Sequence, residues 1–145
     1  MQVFTARFAN KRAILASGAV PVAISLGQPK WPLGYEIRET FAALCPDGWM
    51  LRIEDFEKYR RGYRHKLHQL TPAKIAEGLQ DISRRHRGAD LVLLCWEDLG
   101  KPGAWCHRRI FAAFWLEETG EIIDELPEGG EGAQQSEPES QPTLF

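Results

Sequence analysis

Asp90-Leu-Val-Leu-Leu-Cys95-Trp-Glu97-Asp98 leads through Leu-Gly-Lys-Pro-Gly-Ala-Trp105 into Cys106-His107-Arg108-Arg109-Ile-Phe-Ala-Ala-Phe-Trp-Leu116. Four consecutive strand-forming apolar residues ending in Cys95 fit a strand buried on both faces, as in a parallel sheet flanked by helices. The Gly100 to Gly103 loop ends that strand, and Ile110, Phe111, Phe114 and Trp115 then recur at helical spacing. In open parallel sheets the ligand crevice lies beyond the carboxyl ends of the strands, which puts Cys95, Glu97 and Asp98 at the expected site.

Cys106, His107 and Arg108 fall in the first turn of the following helix. Free backbone N–H groups and the positive end of the helix dipole favour a thiolate or a bound anion there, and Arg108 can add a bidentate contact. Cys95, Glu97, Cys106 and His107 are therefore the candidate catalytic residues, the cysteines as thiolates and Glu97 or His107 as proton carriers. Structural roles compete with these: Cys95 as a small core residue, His107 as a cap or packing group, and Arg108-Arg109 as a solvated turn. Two cations at a helix N-terminus oppose the dipole, and that misfit argues for function. Cys95, Cys106 and His107, with Glu97, could also meet a zinc ion, although adjacent Cys and His is not the usual zinc spacing, so no metal is assigned.

Working outward, 145 residues with 43% hydrophobic content suit one domain with a real core. No run approaches the roughly 18 apolar residues of a membrane span, and no secretory signal is recognisable, so the expectation is a cytoplasmic protein. Cys45, Cys95 and Cys106 are too few and too irregular for a disulfide framework, which points to a reducing compartment. The net charge of −2 hides an asymmetry: residues 1–116 carry 18 basic against 11 acidic residues, a net +7, and every later charge is acidic. A basic body is compatible with nucleic acid as a partner.

Gln2 to Phe8 reads as a strand, Ala9 to Ser17 as a helix stopped by Gly18, and Val20 to Ser25 as a second strand. The Gly-, Pro- and aromatic-rich loop that follows offers Lys30 to an anion and Trp31 and Tyr35 as stacking platforms for nucleic acid, with Trp31 as a lid on the core the alternative. Glu36 to Leu51 reads only as loop or short helix around the Cys45-Pro46-Asp47-Gly48 turn. Ile53 to Leu70 is helical, with Phe56, Tyr59, Tyr63 and Leu67 on one face. Its other face holds Arg60, Arg61 and Arg64 with Lys58 and Lys66, either a phosphate-tracking stripe or a solvated surface. Thr71-Pro72 opens another helix with Ile75, Leu79 and Ile82 as its apolar stripe, and Glu121 to Leu126 reads as a last strand. The order implies a single layered α/β domain over 1–126, with a mostly parallel sheet of about four strands flanked by helices.

Phe4-Thr-Ala-Arg-Phe-Ala-Asn10, Ile24-Ser25, Pro29-Lys-Trp31, Leu93-Leu-Cys95-Trp-Glu97 and Cys106-His107-Arg108 together resemble the bacterial family called domain of unknown function 488. Cys-x-Glu and Cys-His-Arg are the most specific parts of the match, which covers about residues 1–126. The resemblance implies a compact α/β domain linked to nucleic-acid or nucleotide metabolism, with no established reaction. Leu26 departs from the pattern, standing where the family often carries Arg, and this weakens an anion role for the Gly27 loop.

Residues 127–145 are almost wholly polar and read as a disordered acidic tail. The chain ends Gln141-Pro142-Thr143-Leu144-Phe145, which resembles the peptide by which bacterial replication and repair proteins dock on the DNA sliding clamp. Leu144 and Phe145 would fill an apolar pocket while Gln141 anchors the peptide, and the tether would let the domain work nearby on DNA. The sequence thus describes a clamp-recruited DNA repair or processing factor, with a non-enzymatic DNA- or protein-binding adaptor or a small zinc module as alternatives.

Overall fold

In the computed structural model, which describes residues 1–129, the expected central strand is β4, Leu91–Cys95, and all five of its residues are buried. It is enclosed because β1 (Val3–Arg7) pairs with it on one side and β2 (Val20–Ala23) on the other, both parallel. Two short strands complete the sheet: β3 (Glu39–Thr40) beside β2 and β5 (Asp124–Glu125) beside β1. The order is β3-β2-β4-β1-β5, entirely parallel, which makes this an α/β fold.

The fifth strand is β3, within the stretch that reads from sequence as loop. A two-residue strand has no hydrophobic period to find. Tertiary backbone bonding makes it: Arg38 N–H donates to the Pro21 carbonyl and Phe41 N–H to the Ala23 carbonyl. The surrounding residues form two 3-10 turns, Ala42–Leu44 and Gly48–Arg52. The final strand is shorter than expected, with only Asp124 and Glu125 paired, to Phe4 and Thr5.

Strand alternation decides which layer receives each side chain. Leu91, Leu93 and Cys95 join the core built by α2 (Phe56–Leu70), α3 (Pro72–Arg85) and α4 (His107–Thr119). Val92 and Leu94 point into the opposite layer, against Ala13 and Ile14 of α1 (Lys11–Ser17). Helix spacing does the same for the covering layers. Tyr59, Tyr63 and Leu67 of α2 and Ile75, Leu79 and Ile82 of α3 are buried, as their stripes predict. Full burial of each large aliphatic side chain contributes about 1.5–3 kcal/mol.

Local chemistry sets the helix ends. Asp55 accepts from the Lys58 N–H at the start of α2, and Thr71 accepts from the Lys74 N–H before Pro72 opens α3. Gly18 ends α1 at φ +69°, a left-handed conformation that glycine adopts without a Cβ clash.

Residues 127–129 do not behave as the free beginning of a tail. Arg7 pairs with Glu128, while the Asn10 side chain donates to the Pro127 carbonyl and accepts from the Gly129 N–H. Gln141, Leu144 and Phe145 lie outside the described residues. Among the described residues no helix is long and apolar enough to cross a membrane.

Candidate functional site

The carboxyl ends of β2 and β4 open into a crevice of about 460 Å³. Ser25, Leu26 and Gly27 reach it from the end of β2, and Cys95, Trp96 and Glu97 from the end of β4. Trp105, Cys106 and His107 reach it from the start of α4, and Met50, Ile53 and Tyr59 form part of the lining around it. Of the four candidate catalytic residues, all contribute to this one surface.

The two cysteines are joined as a Cys95–Cys106 disulfide, with Cα atoms 7.5 Å apart. This corrects the expectation of three free thiols. Eleven residues of sequence separation give no sign of the pairing; it arises because Cys95 leaves the buried strand on the same face from which Cys106, the N-cap of α4, arrives. Cys45 remains a free, buried thiol, and its Sγ donates to the Ser25 carbonyl at 3.4 Å. Burial pushes its pKa up, so it is the inert cysteine of the three.

His107 is buried beside the pair. Its Nε2 lies 2.6 Å from the Ile24 carbonyl oxygen, and its Nδ1 lies 3.7 Å from Cys106 Sγ. A carbonyl oxygen only accepts, so Nε2 carries the proton and the lone pair of the neutral ring is at Nδ1, facing sulfur. Burial holds the imidazolium out, with help from the neighbouring positive charge of Arg108, and the pKa falls to about 4 although the Ile24 carbonyl works the other way. At neutral pH the ring is a base with its acceptor nitrogen aimed at Cys106.

Arg108 is not the open anion ligand that its place in the first turn suggests. It is fully buried, and its guanidinium donates to both oxygens of Glu125, to the Glu97 carbonyl at 3.0 Å and to Cys95 Sγ at 3.3 Å. The dipole misfit at the helix start is offset by this carboxylate, not by a ligand. Arg109 is held alongside, donating to Thr5 Oγ1 and to the Ile123 carbonyl. Sequence reading missed Glu125, and no local pattern marks it; only the pairing of β5 with β1 carries it under α4.

Glu97 contributes its carbonyl to Arg108, while the residue is exposed at the crevice. The aromatic rim is more extensive than expected. Trp96 packs edge-on to Phe8 and to Trp31, with ring centroids 5.3 and 5.7 Å apart, and Trp31 stays half exposed. Trp105 stacks at a tilt on Tyr59, 4.6 Å between centroids, and on Phe56. Lys30 is exposed on the same loop as Trp31.

The basic face of α2 is largely engaged within the protein. Arg60 pairs with Glu57, Arg64 pairs with Glu117 and lies over the Phe114 ring, and Lys66 holds Asp47 and the Cys45 carbonyl. Arg61 is exposed. The stripe is therefore interrupted by acidic partners and offers a phosphate backbone fewer open cations than its sequence suggests.

No family model, curated protein or solved structure matches this chain.

Chemically, the bonded sulfurs are not nucleophiles; two-electron reduction frees them. The freed pair would lie beside an acceptor nitrogen, at the wall of an aromatic crevice that Glu97 also lines. The ligand atoms of Cys95, Cys106 and His107 all lie within 4.8 Å of one another, so the three could hold a metal ion.

Proposed function

We propose that this chain is a nucleic-acid- or nucleotide-associated processing factor, brought to DNA by the replication sliding clamp and working through a thiol site. The observation that carries the reading is the convergence of Cys95, Cys106, His107 and Glu97 on one crevice. In the reduced form Cys106 at the helix N-terminus is the attacking sulfur, with the acceptor nitrogen of His107 facing it. Glu97 serves the substrate from the exposed side, and Trp96 and Trp105 supply flat surfaces for a base. The basic body and the family-like Cys-x-Glu and Cys-His-Arg segments support a nucleic-acid or nucleotide substrate, and the terminal Gln141, Leu144 and Phe145 support the clamp as recruiter.

The test is a reduced-protein assay against mononucleotides, single-stranded DNA and RNA. Cys106→Ser, folded by circular dichroism, is expected to abolish turnover; turnover equal to the parent overturns the thiol reading. Recruitment is tested separately by clamp retention of the full chain against Leu144→Ala/Phe145→Ala, and equal retention overturns that part.

A second reading is favoured by the direction of His107 Nδ1. Cys95, Cys106 and His107 then form a zinc site with three protein ligands and an open fourth position on the crevice. The Ile24 carbonyl acts as the partner that holds a metal-bound imidazole in one tautomer.

A further inference from the structure

We propose that the Cys95–Cys106 pair is an oxidation switch for a zinc-type cation, bound by both sulfurs and His107 when the pair is reduced and expelled when it is oxidised. This rests on the zinc reading above and adds its regulation.

The same two sulfurs serve both states, so disulfide and metal exclude one another. Zinc–sulfur bonds of about 2.3 Å at tetrahedral angles need sulfurs about 3.8 Å apart and a sulfur–nitrogen separation of about 3.5 Å. Cys106 Sγ and His107 Nδ1 are already 3.7 Å apart. The sulfur–sulfur spacing has to open, and Cys95 Sγ, which lies within 4.8 Å of the other ligand atoms, has to settle at zinc distance from the imidazole; the strand end and helix start, 7.5 Å apart at Cα, leave side-chain rotation to do both.

The buried surroundings suit the loaded state. Two thiolates neutralise a divalent ion, and the Arg108 and Glu125 charges neutralise each other, so the site adds no net charge to the interior. The Arg108 N–H on Cys95 Sγ is a donor to a coordinated thiolate, and the Ile24 carbonyl keeps Nδ1 unprotonated. Both cysteines line the crevice, and since both are buried the oxidant has to be small enough to enter it. A peroxide supplies the oxidising equivalent. The zinc-bound dithiolate loses two electrons and forms the S–S bond, the peroxide O–O bond breaks, and two protons complete two waters as the free zinc ion leaves. A dithiol reductant reverses the process: it is oxidised to its own disulfide, the zinc ion is rebound by the regenerated thiolates, and two protons are released.

The full chain, reduced anaerobically, is titrated with cobalt(II), whose thiolate charge-transfer band reports sulfur ligation; zinc competition then gives the zinc affinity. The expected result is about one tetrahedral site per chain. Hydrogen peroxide should abolish the band and release the metal, alkylation in denaturant should then label Cys45 alone, and treating the folded, oxidised protein with a dithiol should restore binding. Cys45→Ser should behave as the parent. His107→Ala, folded by circular dichroism, should still form the disulfide but bind metal at least about tenfold more weakly. Absence of sulfur-ligated cobalt in the reduced parent overturns the zinc reading and the switch with it. Metal retained after the disulfide has formed overturns the switch and leaves the zinc reading standing. Unchanged affinity in His107→Ala removes His107 from the site and overturns the proposal as stated.

Discussion

His107 Nε2 and the carbonyl oxygen of Ile24 meet at 2.6 Å across 83 residues of sequence. This bond joins the start of α4 to the end of β2, selects the imidazole tautomer, and aims the remaining lone pair at Cys106. A histidine that sequence alone leaves between cap, packing group and catalyst is thereby given one protonation state and one direction.

The first prediction concerns pH. The folded His107 pKa of about 4 lies below the unfolded value of 6.5, so the unfolded chain binds the proton first as pH falls. The contribution is whole above pH 6.5 and is lost as pH drops toward 4, at a rate of at most about 1.4 kcal/mol per pH unit. Urea unfolding at several pH values should show this slope in the parent and a flatter one in His107→Gln; identical slopes would exclude His107 as the source.

The second concerns the buried guanidinium. Glu125→Gln leaves Arg108 without its carboxylate, and because the Glu125 side chain keeps a quarter of its exposure the loss should sit at the low end for buried pairs, about 3 kcal/mol. The double substitution Arg108→Met/Glu125→Leu removes both charges and should recover much of that stability. Denaturant midpoints decide it: a single substitution with no effect would mean the pair is not holding α4 to β5.

A third prediction weighs two opposed effects at Gly78 in α3. Alanine gains about 1 kcal/mol of helix propensity, but its Cβ would stand 2.5 Å from Phe41 Cζ. Phe41 is partly buried against the core beside β3, so its ring has to move and Gly78→Ala should destabilise by about 1 kcal/mol net. A raised melting temperature would show that the ring yields freely.

The fourth tests the aromatic rim. Trp96 is 42% exposed but packs on buried Phe8, so Trp96→Ala should cost about 1 kcal/mol of stability and leave the fold intact, while weakening any bound nucleotide about tenfold or more through lost stacking. Fluorescence titration with mononucleotides and short single strands reads this directly, and equal affinity in both proteins would remove Trp96 from the binding surface.

The sequence by itself determined the layers. The unbroken run Leu91 to Leu94, the periods of Tyr59-Tyr63-Leu67 and Ile75-Leu79-Ile82, and the punctuation by Gly18 and Thr71-Pro72 are local signals, and burying an apolar face leaves them one solution. They also placed Cys95, Glu97, Cys106 and His107 near one end of the sheet, because strand and helix termini are readable. Tertiary structure alone decided what those residues are to one another. The sulfur pairing, the capture of Arg108 by Glu125 and the bond from His107 to Ile24 all join separate elements. Such contacts depend on strand order and on which face each side chain leaves, and neither is written in the spacing of residues along the chain.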